Sequence, residues 1–321
     1  MRGPHNIWRL IRTGATFERT GAMGVVLDAF DAPRMVRIAF RTLVWPFKWT
    51  GIEGDPSMPP APRALSALGP AYIKFGQILS TRPDVVGQEV ANQLRVLQDK
   101  LPPFGIEQAE RQIEAELGVP VSEIFSEFSA PVAAASIAQV HKARRADTGE
   151  IVAVKVLRPG IERAFRTDID AFYFAADMIE TLAPAARRLR PRDVISHFES
   201  VVMGELDLRL ESAAASEYAA NTAGDEGFEL PSVVWGLSGR RVMTMSWAEG
   251  APLGDNAALD AAGHDRELLS ERVLQLFLNH ALRDGFFHAD MHQGNLKVAP
   301  NGNIIAYDFG IMGHIDEYTR R

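Results

Sequence analysis

His288-Ala289-Asp290-Met291-His292-Gln293-Gly294-Asn295, followed by Asn303-Ile304-Ile305-Ala306-Tyr307-Asp308-Phe309-Gly310, is the stretch that decides how this chain is read. It holds a carboxylate at Asp290, an amide five residues later at Asn295, and a second carboxylate at Asp308 leaving an apolar strand. Such a set suits holding two magnesium ions on a nucleotide triphosphate, with one Asp facing the phosphoryl acceptor. The rest of the chain is tested against that reading.

The spacing from Asp290 to Asn295 matches the D-x-x-x-x-N catalytic loop of protein kinases, and Asp308-Phe309-Gly310 is their D-F-G tripeptide. Upstream, Ser129 to Ser136 is rich in small residues and leads into a strand over Ile137 to Arg144. Asp147-Thr148-Gly149 makes a turn, and a second strand follows over Glu150 to Leu157. Alternation puts Ala153, Lys155 and Leu157 on one face of that strand and Val152, Val154 and Val156 on the other. A strand-end lysine or a helical glutamate such as Glu211 carries little information alone. Their order does: small-residue loop, strand lysine, helical acid, connector after a strand, D-x-x-x-x-N, D-F-G. Imidazole and carboxylate on alternate residues, His288-x-Asp290-x-His292, offer a competing zinc or iron site. That alternative leaves Asn295, Asp308 and Lys155 without roles. In the phosphate reading His288 braces the loop by hydrogen bonding, and His292 has no derived role.

A chain of 321 residues can hold two modest domains with ample apolar content, and it has no cysteine. Disulfides, thiolate metal sites and cysteine nucleophiles are therefore excluded. The net charge of −7 argues against a nucleic-acid partner. Residues 1–50 carry eight Lys/Arg against three acids, a net of +5 that leaves −12 for the remainder. No apolar run is long enough to span a bilayer, and no secretory signal is read.

Residues 33–49 read as an amphipathic helix kinked or ended near Pro46. Arg34, Arg37, Arg41 and Lys48 share a narrow arc, with Val36, Phe40, Leu43 and Phe47 roughly opposite and Trp45 and Trp49 nearby. Two readings stay open: a membrane-surface helix, which the Trp and Arg content favours, and a helix packed on its own domain with a solvated basic side. Gly51 to Pro62 reads as a linker. Helices are expected over Arg63 to Ser80, Asp84 to Asp99 and Ile106 to Leu117, with Pro83, Pro102-Pro103 and Gly118 as stops. Gly76 in a helix interior costs roughly 1 kcal/mol relative to Ala, which hints at a close neighbour. A long helical pattern covers Arg192 to Asn221 and puts Asp207 and Glu211 on one face. Leu230 to Gly236 and Arg240 to Met245 read as strands, and Glu267 to Asp284 as a helix closed by Gly285.

Lys74-Phe75-Gly76-Gln77, Ala133-Ala134-Ala135-Ser136, Val152-Ala153-Val154-Lys155, Glu205-Leu206-Asp207 and the His288 to Asn295 loop together resemble the UbiB family. These are atypical protein-kinase-like proteins of ubiquinone biosynthesis. The resemblance covers about Arg63 to His314 and implies an α+β, protein-kinase-like two-lobed fold with an N-terminal helical extension. Its implied parts are a basic extension and linker over 1–60, a helical K-x-G-Q extension over 61–128, an N-lobe over 129–250 and the start of a C-lobe over 251–321. Only 11 residues follow Gly310, so the C-lobe is expected to be incomplete and the chain a C-terminally truncated bacterial member.

Residue by residue, the resemblance implies that Lys155 holds the α/β-phosphates of ATP or ADP and pairs with Glu211. Asp290 becomes the catalytic-loop carboxylate, and Asn295 and Asp308 bind Mg2+. Ala133, Ala134, Ala135 and Ser136 replace a glycine-rich phosphate loop. Alanine resists the positive φ that glycine permits, so this loop is expected to cradle phosphates differently. Lys74 and Gln77 belong to an extension folded over the place a protein substrate would use, with Glu205 and Asp207 contacting it. The function this implies is an ATP-binding, Mg-dependent atypical kinase or ATPase supporting ubiquinone biosynthesis, without peptide phosphorylation in trans. The alternatives are a small-molecule or lipid kinase acting on an isoprenoid phenol precursor, and a non-catalytic nucleotide-dependent scaffold. Implied partners are nucleotide, an anionic membrane surface, isoprenoid phenol or quinone precursors and other ubiquinone-pathway enzymes. The expected location is the cytoplasmic side of the bacterial inner membrane, peripherally bound.

Overall fold

The structure is a computed structural model that describes residues 5–29, 32–98, 103–182, 187–188 and 190–320. The chain divides into two compact units. The first comprises Met1–Pro102, Ala134–Ile137 and Gly160–Met203, and the second Pro103–Ala133, Ala138–Pro159 and Gly204–Arg321.

The described part of the first unit is helical. Its core is Leu65, Tyr72, Ile73, Val86, Val90, Leu94 and Leu97, with Phe17 and Phe172 packed against it. The single helix expected over Arg63 to Ser80 is two, Pro60–Leu68 and Pro70–Ser80. Gly69 separates them at φ 119°, a conformation the preceding turn needs and only glycine takes readily. In the same way Gly87, at φ 81°, splits the next segment into Pro83–Val86 and Gln88–Leu94. The ends expected at Asp99 and Pro102 lie outside the described residues. The close neighbour inferred at Gly76 is present, since a Cβ there would lie 2.4 Å from Leu97 Cδ1 and 2.6 Å from Leu65 Cδ1. Gln77 donates to the Leu97 carbonyl at 2.8 Å.

The 33–49 segment is helix Arg34–Val44 followed by a 3-10 turn, Trp45–Thr50. Its packing corrects the expected division of faces. Arg37 bonds Asp28 and the Ala32 carbonyl, Arg41 reaches Glu18 at 3.5 Å, and Val44 is buried. Apolar side chains face outward alongside Arg34, Arg41 and Lys48: Met35, Ile38, Leu43, Trp45 and Trp49 are 77, 61, 71, 76 and 75% exposed. Among the described residues no helix is long and apolar enough to cross a membrane.

The second unit is α+β. Strands β1 (Phe125–Ala134), β2 (Ala138–Arg145), β3 (Ile151–Leu157), β4 (Phe228–Glu229), β5 (Val242–Ser246), β6 (Ala251–Pro252), β7 (Phe286–His288), β8 (Leu296–Val298), β9 (Ile304–Ala306) and β10 (Met312–His314) form three sheets. Their orders are β1-β2-β3-β5, β4-β9-β8-β6 and β10-β7. The expected alternation in β3 holds: Val152, Val154 and Val156 are buried against Ala109 and Ile113 of helix Ile106–Leu117, while Lys155 occupies the opposite face. Two expectations change. Ser129 to Ala134 belongs to β1, so only Ala135 to Ile137 makes the turn. Leu230 to Gly236 is not a strand, because only Val233 bridges to Met245 before a 3-10 turn at Trp235–Leu237.

Candidate active site

The long helix expected over Arg192 to Asn221 is broken into Pro191–Glu205 and Leu208–Asn221. Asp207 does not share a helical face with Glu211. It lies in extended backbone as the N-cap of the second helix, accepting from Arg209 N–H and pairing with the Arg209 guanidinium at 2.6 Å. That cap starts a new helix in the register that turns Glu211 toward β3.

Lys155 Nζ lies 2.6 Å from Glu211 Oε1 and 3.7 Å from Asp308 Oδ1. Burial alone would lower the Lys155 pKa, but the Asp308, Glu211 and Glu205 carboxylates raise it well above the ordinary lysine range. Lys155 is therefore charged. Burial raises the Glu211 pKa and Asp308 raises it further, while Lys155 and a hydrogen bond from the Phe309 N–H pull it down. One ammonium thus faces three carboxylates, a deficit of positive charge.

The loop and the D-F-G segment are pinned by neighbouring strands. β7 ends at His288, β8 begins at Leu296, and the β8–β9 hairpin pairs Leu296 with Ala306 so that Asp308 leaves beside the loop. β10 returns to pair Met312 with His288, and Ala289 N–H donates to the Ile311 carbonyl. Asn295 Nδ2 donates to the Asp290 carbonyl at 3.0 Å and approaches its Oδ2 at 3.4 Å. That leaves the amide oxygen as the atom with which Asn295 could ligate a cation. The Asp308 carboxylate accepts from Gly310 N–H at 3.1 Å. Asp308 and Asn295 are hard oxygen donors in a region short of positive charge, and such a donor set would suit a hard divalent cation such as magnesium.

His288 is buried and its Nδ1 accepts from Asp290 N–H at 3.2 Å, the brace expected of it. Burial depresses its pKa, and the Asp308 and Asp290 charges only partly offset this. His292, given no role from sequence, caps the turn Gln293–Asn295 by accepting from Gly294 N–H at 2.9 Å, with Nε2 3.5 Å from Asp290 Oδ2. The two imidazoles thus use their Nδ1 atoms on the loop backbone. Among the described residues no three His, Asp or Glu are grouped to hold a metal.

Ala133 and Ala134 end β1, while Ala135 and Ser136 lie in the turn to β2. Among the described residues only Arg190 combines a side chain with positive φ, so these alanines keep ordinary backbone. Lys74 and Gln77 stand one turn apart on helix Pro70–Ser80 of the first unit, while Glu205 and Asp207 belong to the second.

Sequence reasoning missed two groups. Tyr218 bonds His280 Nδ1 at 2.6 Å, His280 Nε2 meets Asp225 Oδ2 at 2.9 Å, and Arg283 pairs with Asp225. Tyr218 also lies edge-on to buried Phe309 of the D-F-G segment. A histidine at an apolar position of the helical pattern before Gly285 was the available signal. The second group lies on the connector between β5 and β6. Lys297 of β8 donates to the Ala248 carbonyl at 2.9 Å and lies over the rings of Trp247 and Tyr307, at 4.9 and 5.5 Å. No periodicity reports such a contact. A cavity of about 350 Å3 is lined by Glu229, Pro231, Trp247, Glu249 and Asn301 among others, and none of the Lys155 cluster lines it.

A strand lysine paired to a helical glutamate, two sheets joined by a short connector, and a braced D-x-x-x-x-N loop beside D-F-G define a protein-kinase-like domain. The chain belongs to the ABC1 atypical kinase-like family, whose domain matches residues 96–321. It is 43% identical over 255 residues to a protein named "Probable protein kinase UbiB" from Marinobacter nauticus, covering 78% of this chain and 46% of that one. A protein of the same name from Shewanella frigidimarina is 42% identical over 263 residues, covering 80% and 48%. The chain thus spans about half the length of these relatives. A solved structure described as the complex of Rv3197 and erythromycin from Mycobacterium tuberculosis is similar with a TM-score of 0.56 and 31% identity, over 74% of this chain and 60% of that one.

Proposed function

We propose that this chain carries the nucleotide site of an ATP-binding, magnesium-dependent atypical kinase or ATPase that supports ubiquinone biosynthesis. The observation that carries the reading is the Lys155–Glu211 pair with Asp308 alongside, three groups from distant parts of the chain converging on one cationic centre. In this reading Lys155 holds the phosphates and Glu211 fixes the lysine's position. Asn295 and Asp308 hold Mg2+, which supplies electrostatic stabilisation of the phosphates. Asp290 accepts the proton of the attacking hydroxyl or water, and His288 and Asn295 orient Asp290 through its backbone and carboxylate. Ala133 to Ser136 line the phosphates with ordinary backbone in place of a glycine loop.

In the same reading Lys74, Gln77, Glu205 and Asp207 are regulatory residues that exclude peptides. The acceptor is then water or a small isoprenoid phenol. The ubiquinone assignment rests on the likeness to the UbiB proteins and on the motifs described above. The outward apolar face of helix Arg34–Val44 supports peripheral attachment to the cytoplasmic face of the inner membrane.

The test is nucleotide binding and turnover with Mg2+, with and without anionic vesicles and a phenolic quinone precursor. Asp290→Asn is expected to keep nucleotide affinity and lose turnover by about 100-fold or more. Phosphate appearing on the phenol identifies a small-molecule kinase, and phosphate in solution an ATPase. Unchanged quinone levels in cells carrying Asp290→Asn would reduce the chain's role to a scaffold.

A further inference from the structure

We propose that Tyr218 is a positioning residue: bonded to His280 and to the His288 backbone, it locks the Glu211 helix to the catalytic loop so that Asp308 and Asn295 are presented together. This rests on the nucleotide reading and deepens it.

Helix Leu208–Asn221 carries both Glu211 and Tyr218, about two turns apart and so on one face. Each side chain accepts a backbone N–H from a different part of the site. Glu211 takes that of Phe309 in D-F-G, and the Tyr218 hydroxyl takes that of His288 at the end of β7. One helix face therefore holds the D-F-G segment and the start of the catalytic loop at a fixed spacing. The Tyr218 ring is fully buried, edge-on to Phe309 and Phe286 at centroid distances of 6.4 and 6.1 Å.

The hydroxyl's second bond has a direction. Tyr218 Oη lies 2.6 Å from His280 Nδ1, and His280 Nε2 lies 2.9 Å from Asp225 Oδ2. The Arg283 guanidinium keeps Asp225 ionised, so the carboxylate fixes the imidazole proton on Nε2. Burial lowers the His280 pKa despite Asp225 and Asp284, which leaves the ring neutral and Nδ1 an acceptor. Tyr218 therefore donates to His280 while it accepts from His288. Packing on Phe309 needs only the ring; the hydroxyl adds orientation, and both of its hydrogen-bonding capacities are used. The far end of the network is a π-helical turn, His280–Asp284, closed by Gly285 at φ 69°. It brings His280 and Arg283 onto Asp225, which follows the Glu211 helix, and it leads directly into β7. The network thus ties together the two chain segments that carry Glu211 and Asp290.

The experiment is calorimetric binding of ADP, with Mg2+ and with EDTA, to the full chain, Tyr218→Phe, His280→Phe and the double variant. Near-UV circular dichroism verifies folding. The parent chain is expected to bind ADP more tightly with Mg2+. Tyr218→Phe keeps the ring and the Lys155–Glu211 pair, so its affinity in EDTA is expected to stay within about twofold of the parent's. Its gain from Mg2+ is expected to shrink by about three- to tenfold, the span of one net hydrogen bond. The double variant is expected to lose no more than the worse single one, because both break one chain of bonds. A merely structural tyrosine would lower the melting temperature and leave the ratio of the two affinities as it was. If one single variant fails to fold, the ratio in the other decides. An unchanged ratio in a folded single variant, or additive losses in the double one, overturns the proposal while the nucleotide reading stands. If the folded parent chain binds no ADP, or gains nothing from Mg2+, both fall together.

Discussion

At Lys155 one ammonium holds Glu211 at 2.6 Å with both side chains largely out of water. Removing the cation leaves a buried carboxylate without its partner, which typically costs about 3–5 kcal/mol. Lys155→Met is therefore expected to lower the melting temperature and abolish nucleotide binding. Glu211→Gln removes a charge whose burial is unfavourable and keeps a hydrogen-bond acceptor for Lys155. Its melting temperature is expected to stay closer to the parent's, with nucleotide affinity reduced. Thermal melts and nucleotide titrations of the two variants decide this, and equal melting temperatures would contradict the buried-pair account. The residue types at Lys155, Asp290, Asn295 and Asp308 were legible because the kinase-like motifs they match fix both identity and spacing. His292 and Lys297 were not, because their partners, a backbone N–H and a backbone carbonyl, leave no trace in side-chain pattern.

At the scale of elements, Gly76 and the Arg34–Val44 helix give opposite lessons. Alanine is the better helix former by roughly 1 kcal/mol, yet at position 76 its Cβ would press on Leu97 and Leu65 in the core. Gly76→Ala is expected to destabilise the protein by about 1–3 kcal/mol in a urea melt, and a stabilised variant would show that the leucines yield. The helix was legible in extent, but its faces were not. Amphipathic periodicity places arginines on one arc without saying that Arg37 and Arg41 turn to Asp28 and Glu18. With Trp45 and Trp49 three-quarters exposed, Trp45→Ala/Trp49→Ala is expected to weaken binding to anionic vesicles at least tenfold and leave the melting temperature nearly unchanged. Co-sedimentation reads the first effect. A coincident loss of stability would mean that the indoles pack within the protein.

At the scale of the whole molecule, the buried histidines of the second unit and Asp168 of the first respond to acid with opposite sign. In the second unit burial depresses the pKa of His141, His280 and His288 below the ordinary 6.5. The unfolded chain then binds protons first, so this stability is complete above 6.5 and declines as pH falls below it. In the first unit burial raises Asp168 to about 6 from 3.8, despite its ion pair with Arg9. There the folded state takes up the proton first, and the unit gains stability as pH falls through about 6. Hydrogen exchange at about pH 7.5 and 5.5, corrected for intrinsic rates, is expected to show faster opening of the Tyr218–His280 network and slower opening around Asp168. Parallel changes in both units would contradict this.

The sequence by itself determined which residues are candidates for the site and the order of the elements around them. Asp290, Asn295, Asp308 and Lys155 report themselves by residue type and spacing, and the alternation in β3 follows from a fixed two-residue repeat. Helix breaks were less visible. Gly69 and Gly87 were broken by positive φ, and Asp207 became a cap once the chain turned, choices between local conformations that differ by about 1 kcal/mol. Only the tertiary structure decided which side of the Arg34–Val44 helix meets solvent, that Glu211 reaches Lys155, and that Lys297 covers Ala248. Each of these depends on elements far apart in the chain. A contact of that kind is set by how strands pair and sheets pack, and not by the residues on either side of it.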